Sequence, residues 1–412
     1  MRRALFGIAL VLFFAGGTAR SSTLEQDFPV EGMIHWGPFR VRPFLLLKDT
    51  GYDNNIFLDD TNPQGDFTST GEAGLQLITF LSDRAALVAE ERLDYVWFAQ
   101  NTSENHFNNA FRGRVNIYLK RITLFTDWRT LNLKERPANA EYDFRIRRYE
   151  RSLGLGAKYE RARSSMEVRF GKDRYRYFSD EPEGENIPKF QNRLEDRLTL
   201  TGRQKILPKT TFLLQWEGRG IAFSEPEGQI NDSEARRISA GFEFDSSAFL
   251  RGAVKVGRES LRPDLSAYEP FHGLVGEGNL LYRITARTNL EGRGRRSTGF
   301  TSAVNNVYYV HGGYGATLTQ FLAARVAGEI GADREQVEYP EVTQQYDQET
   351  DQVVSGFRTD EFRSYFVGAS YRFNTQARMG LRVGSWRRIS AVPFDFLERR
   401  RNTVMVTYSY NF

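Results

Sequence analysis

The chain has 412 residues and no cysteine, which excludes disulfides, thiolate metal sites and covalent c-type haem. Its 56 basic and 52 acidic residues are interleaved throughout, with no basic stripe carrying aromatic platforms, so no nucleic-acid partner is expected. Mean hydropathy is −0.52 although 14 % of residues are aromatic. That combination fits a wall with one polar face and one apolar face, its apolar band edged by Tyr, Trp and Phe.

At the start of the chain, Arg2 and Arg3 precede an apolar run over residues 4–14, and Ala15-Gly16-Gly17-Thr18-Ala19 follows with small side chains. This is the plan of a secretory signal peptide cleaved after Ala19. The apolar run is short for a membrane anchor, since a spanning helix needs ~20 residues. Residues 20–37 read as a short periplasmic segment, too short to hold the plug domain of an energy-coupled receptor.

From residue 38 onward the chain repeats one unit: strand, short turn, strand, long polar connection. Short-turn hairpins read at 73–98, 111–129, 153–170, 238–256, 314–330 and 365–383, the turn of the fifth placed at 319–320. Longer stretches rich in Pro, Gly, Asn, Asp and Glu lie at 48–70, 99–106, 135–145, 179–191, 224–234, 262–271, 297–303, 336–358 and 391–398. Segment 272–300 has a weak apolar face, and its turn is placed near Thr285–Arg287. Short turns on the periplasmic side alternating with long extracellular loops is the pattern of an outer-membrane barrel, here of about 18 strands.

Alternation within the strands agrees. Val404, Val406, Tyr408, Tyr410 and Phe412 fall on one face of the last strand; Thr403, Met405, Thr407, Ser409 and Asn411 fall on the other. A soluble sandwich also alternates, but about 18 long strands with mid-strand Arg and Glu and no second core would leave open edges. Tyr408, Tyr410 and Phe412 resemble the C-terminal signal read by the barrel assembly machinery.

After the first strand comes Gly51-Tyr52-Asp53-Asn54-Asn55-Ile56-Phe57, followed by Asp66-Phe67. This opening resembles that of the porin-like outer-membrane β-barrel family, whose members begin with a similar glycine-tyrosine-aspartate segment and then run on as hairpins. The resemblance implies an outer-membrane barrel, with some relatives acting beside polysaccharide export systems. It supplies no catalytic or ligand residues. Read physically, the segment is a tight loop beside strand ends.

Strand parity places much of the charge inside, because Arg or Lys at the lipid midplane costs roughly 2–4 kcal/mol. The candidate selectivity wall is Arg92, Arg112, Arg114, Arg129, Arg169, Arg197, Arg219 and Arg325, with Glu90 and Glu329. It reads either as a pore lining biased toward anions or as cross-strand ion pairs that brace a wide barrel. Acidic loops at 49–66, 179–186 and 336–351 carry carboxylates without a calcium-loop pattern; they read as solvated loops bridged to lipopolysaccharide by divalent ions. His35, His106, His272 and His311 make no metal motif, and no Ser-His-acid set falls on one strand pair, so neither metal, cofactor nor catalysis is expected.

The expectation is therefore an all-β protein, a transmembrane antiparallel up-and-down β-barrel at 38–412 in the bacterial outer membrane. Its partners would be outer-membrane lipid and lipopolysaccharide, the assembly machinery during biogenesis, and periplasmic export proteins if it serves export. The leading function is passive passage of small hydrophilic, anionic or sugar-like solutes. The alternatives are an exopolysaccharide export or surface-assembly component and a structural barrel with a closed lumen.

Overall fold

Alternating side chains along nearly every segment favour strands, and a computed structural model gives their arrangement. It describes residues 33–59, 61–136, 144–178, 187–245, 249–303, 305–347, 352–391, 393–394 and 397–412. The stretch expected as a signal peptide, most of segment 20–37 and the acidic stretch 179–186 lie outside these.

A three-residue strand, β1 (Ile34–Trp36), precedes β2 (Phe39–Asp53), β3 (Asp66–Ser82), β4 (Ala85–Phe98), β5 (His106–Leu119), β6 (Ile122–Glu135) and β7 (Ile146–Arg161). Then come β8 (Ser164–Phe178), a single helical turn α1 (Ile187–Gln191), β9 (Arg193–Leu207), β10 (Thr210–Phe223), β11 (Ser233–Phe244) and β12 (Leu250–Pro263). The chain finishes with β13 (Phe271–Arg283), β14 (Thr288–Phe300), β15 (Tyr308–Phe321), β16 (Val326–Asp347), β17 (Gln352–Arg372), β18 (Ala377–Ser390) and β19 (Arg399–Asn411). Each pairs antiparallel with the next, and β19 pairs with β2 from Thr403↔Asp53 to Asn411↔Phe44. Strands β2 to β19 thus form a closed barrel of 18 strands. Closure leaves no sheet edge, the condition for a sheet to stand in lipid. Where β19 ends, β1 takes its place beside β2, pairing Ile34 with Val41.

The short connections share one end of the barrel with the start of β2 and the end of β19, and the long ones share the other. Two of the turns are tight enough to hold Lys120 and Ala162 at positive φ, 49° and 48°. The turn in segment 272–300 falls at 284–287, as expected from the sequence. The next turn is at 322–325 rather than 319–320, and residues 336–347 and 352–358 are strand rather than loop. There β16 and β17 run on past the barrel as a long hairpin. A ladder beyond the membrane needs no apolar face, so its polar composition mimics a loop.

Across the middle of the barrel the outward side chains are mostly apolar and uncovered: Leu155 is 56 % exposed, Ile330 59 % and Tyr314 64 %. In water such a surface would aggregate; against acyl chains it is the buried face. Tyr408 and Phe412 belong to it at the closing strand, and Tyr410 packs edge-on against Phe412 with ring centres 4.7 Å apart.

The Gly51–Phe57 segment closes the extracellular end of the seam. A Cβ on Gly51 would sit 1.9 Å from the Val404 carbonyl oxygen, so only glycine admits this approach of β2 to β19. Asp53 pairs with Arg401 across the seam at 2.6 Å. Asn55, 1 % exposed, donates to the Arg400 carbonyl at 2.9 Å. Asp66, fully buried, accepts the backbone N–H groups of Gln100 and Asn101 and so pins the next loop. The motif is a structural clasp.

Candidate functional site: the lumen

The inner wall is built from charge. On β2 to β5, Lys48 bridges Glu72 and Asp94 at 2.7 and 3.0 Å, and Arg92 and Arg112 both reach Glu90, at 2.6 and 2.7 Å. Arg114 donates to the Asn116 side chain and lies over the Phe125 ring, 4.0 Å from its centre. On β6 to β8, Arg169 binds Asp127 through two nitrogens, and Arg129 and Arg148 share Glu150. Glu195 sits among Arg193, Arg197 and Arg219, while Glu259 holds Arg219 and Arg237 with no exposed surface of its own. Farther round, Glu329 takes Arg378 and Arg382, and buried Asp360 takes Arg358 and Arg388.

Two features follow from the strand geometry. Side chains facing the same way on strands n and n+2 approach most directly where the strand between carries glycine. Asp127 and Arg169 meet across Gly154, where a Cβ would lie 2.5–2.6 Å from both charged groups. Arg293 and Asp333, 2.6 Å apart, meet across Gly315 in the same way. Secondly, Glu90, Glu150, Glu195, Glu259, Glu329 and Asp360 each serve two or more guanidinium groups, while Lys48, Arg197 and Arg219 each bridge two or more carboxylates, so the wall is a network rather than a set of separate pairs.

Of the sequence-derived wall, Arg92, Arg112, Arg114, Arg129, Arg169, Arg197, Arg219, Glu90 and Glu329 lie on the inner face in these pairs. Arg325 does not: it stands in the exposed turn before β16, its carbonyl accepting from Arg372 N–H, because that strand begins at Val326, well after the start at 321 that a turn at 319–320 implies. Strand parity could have found Glu259, Arg378 and Arg382, since the alternating Met379, Leu381 and Val383 mark the outer face beside them. Arg293 was hidden by the weak apolar face of β14.

The second half of the lumen is narrowed from within. Pairing of β13 with β14 stops at Gly276↔Arg296, whereas β14 and β15 stay paired to Phe300↔Tyr308. Beyond that point the β14–β15 hairpin leaves the wall and lies across the inner faces of β9 to β13. Tyr308 and Val310 have the parity of Tyr314 and Leu318, which face lipid lower on the strand. Here they join Ile221, Phe223, Leu261, Phe271 and Val275 in an apolar cluster. Thr298 donates to Glu259 at 2.5 Å, Gln191 of α1 donates to the Phe300 carbonyl at 3.3 Å, and Arg193 lies over the Phe300 ring. Glycines concentrate at the bend: Gly276 and Gly278, Gly292 and Gly294, Gly312 and Gly313. His311, on the opposite face of the hairpin, meets Glu335 at 2.9 Å. The inward element thus spans residues 295–303 and 305–310.

Two spaces flank this partition. A cavity of about 960 Å³ opens between β2–β7 and β16–β19, lined by Lys48, Asp53, Phe366, Arg378, Arg382 and Arg401. A second of about 740 Å³ lies under the hairpin, lined by Arg203, Gln215, Arg251, Lys255 and Asn279. Among the described residues, no group of three or more His, Asp and Glu side chains is placed to hold a metal.

Residues 31–410 match the model of a protein family described as "Putative beta-barrel porin 2". Among solved structures, the chain is similar to the outer-membrane protein OpdK from Pseudomonas aeruginosa, at 8 % identity and TM-score 0.50, covering 90 % of this chain and 99 % of that one; the same figures hold for OpdK with vanillate. The siderophore receptor PirA from Pseudomonas aeruginosa matches at 9 % identity and TM-score 0.44, covering 90 % and 80 %. No curated protein matches the chain.

Proposed function

The chain belongs to the "Putative beta-barrel porin 2" family, an outer-membrane β-barrel, and from that premise we propose that it passes small hydrophilic solutes, anionic or sugar-like, by diffusion. The observation that carries this reading is the cavity of about 960 Å³ whose described lining holds eight Lys and Arg side chains against six carboxylates. A barrel of 16–18 strands has room for an aqueous channel. Fixed positive charge on a low-dielectric wall raises the local concentration of anions and lowers that of cations. Arg378 and Arg382 share the single carboxylate of Glu329 and point into the cavity, so they are the strongest selectivity residues.

The inward β14–β15 hairpin favours a constricted channel over a wide one, and in the limit a closed structural barrel. Reversal potentials across vesicle or planar membranes in a salt gradient test the reading. Arg382→Glu shifts selectivity toward cations, and Glu329→Gln shifts it toward anions. Arg92→Glu and Arg129→Glu shift it as Arg382→Glu does, by less. A folded barrel whose selectivity ignores all four substitutions would refute the proposal and leave the closed barrel or a partner-gated export component.

A further inference from the structure

Most inward arginines are tied to carboxylates; a set of outward ones is not. At the extracellular end of β7 and β8, Arg147 stands opposite Phe178, Tyr149 opposite Arg176, Arg151 opposite Arg174 and Leu153 opposite Lys172. Alternation directs all of these to the lipid side, in line with Leu155 and Phe170 below them, which are 56 % and 51 % exposed. Four cations, Arg151, Lys172, Arg174 and Arg176, are exposed, and Arg147 stands half-buried beside them. Among the described residues the patch meets one carboxylate, Asp196, 3.6 Å from Lys172. Arg147 donates to the Asn132 side chain and Arg151 lies against Tyr149. Arg174 and Arg176 have no ion-pair or hydrogen-bond partner among the described residues.

A cation on the lipid side is tolerated only near the interface, where its cost falls to about 0–1 kcal/mol. The patch therefore marks headgroup depth in the outer leaflet, directly above the acyl chains that Leu153, Leu155 and Phe170 meet. Among the described residues, five cations against one carboxylate gathered at headgroup depth call for a multiply charged anion there. Arginine forks match phosphate oxygens in pairs. We propose that this face binds the phosphate groups of an outer-leaflet glycolipid of the lipopolysaccharide type, with Arg151, Arg174 and Arg176 as the phosphate ligands and Tyr149 and Phe178 packing beside the sugar. The site rests on residence in the outer membrane and is independent of what crosses the lumen.

The test is native mass spectrometry of the full barrel in detergent, titrated with purified lipopolysaccharide. The wild type retains the glycolipid, and Arg151→Gln/Arg174→Gln/Arg176→Gln weakens retention by roughly tenfold or more. The lumen control Arg203→Gln leaves it unchanged. Glycolipid stripped of its phosphates binds as weakly as the triple variant does. Should that variant fail to fold, shown by loss of the compact unheated form on gels, Arg174→Gln/Arg176→Gln is read in its place. Equal retention by wild type and arginine variants would overturn the proposal. So would retention that chelators of divalent cations abolish whatever the arginine variant, which would move the glycolipid to the acidic loops. Displacement by inorganic phosphate at matched concentration would reduce the site to a free-anion site and overturn the glycolipid assignment.

Discussion

Individual charged residues in this barrel are held by shared partners, so removing one partner weakens the hold on several groups. Asp360 is fully buried and serves Arg358, Arg388 and Ser390. Asp360→Ala removes the buried carboxylate that two guanidinium groups share and lowers stability by about 3 kcal/mol, measured by urea unfolding in lipid vesicles. In the loop after β2, the Thr61 hydroxyl and the N–H groups of Asn62 and Thr61 hold the Asp59 carboxyl below the usual carboxylate range. A depressed folded value means that the turn is fully supported above the ordinary aspartate pKa and loosens as pH falls through the lower value. Amide exchange at Thr61 and Asn62, corrected for intrinsic rate, should therefore speed up in acid, and Asp59→Asn should remove that dependence. Strand parity made most inward charges legible at this scale, because a charge facing lipid is expensive enough to decide the face. It did not reveal which carboxylate each arginine chooses. Those choices cross a strand, and they depend on glycines such as Gly154, whose meaning appears only once three strands stand side by side.

Among the elements, glycine slots and the inward hairpin matter most. Gly154→Val places a side chain between Asp127 and Arg169. It should break that pair and cost about 1–3 kcal/mol by overpacking, against little effect at Gly71, where a Cβ meets nothing within 4 Å. Vesicle-based urea unfolding distinguishes the two. Replacing 299–306 by a two-residue turn removes the partition over β9 to β13 and should raise single-channel conductance roughly twofold or more. Unchanged conductance would show that the constriction lies elsewhere. The hairpin was illegible in the sequence because its even-numbered side chains, Tyr308 and Val310, are as apolar as a lipid-facing strand requires. The same alternation serves a strand against lipid and a strand against an apolar inner wall. The weak apolar face of 272–300 was the visible trace of that double role, together with its glycines.

For the whole molecule, the 18-strand closure was readable from the alternation of short and long connections, since that rhythm counts hairpins without needing exact strand ends. Strand ends were less readable wherever the ladder leaves the membrane, as at β16 and β17, where no lipid enforces apolar alternation. The central claim is that this closed, arginine-biased wall encloses a conducting path. Single-channel recording of the refolded protein in a planar bilayer, with reversal potential taken in a salt gradient, tests it most directly. The account predicts discrete, steady steps with a reversal potential on the anion side, moved toward cations by Arg382→Glu. Verified, folded barrels that give no conductance, or steps selective for cations, would contradict it.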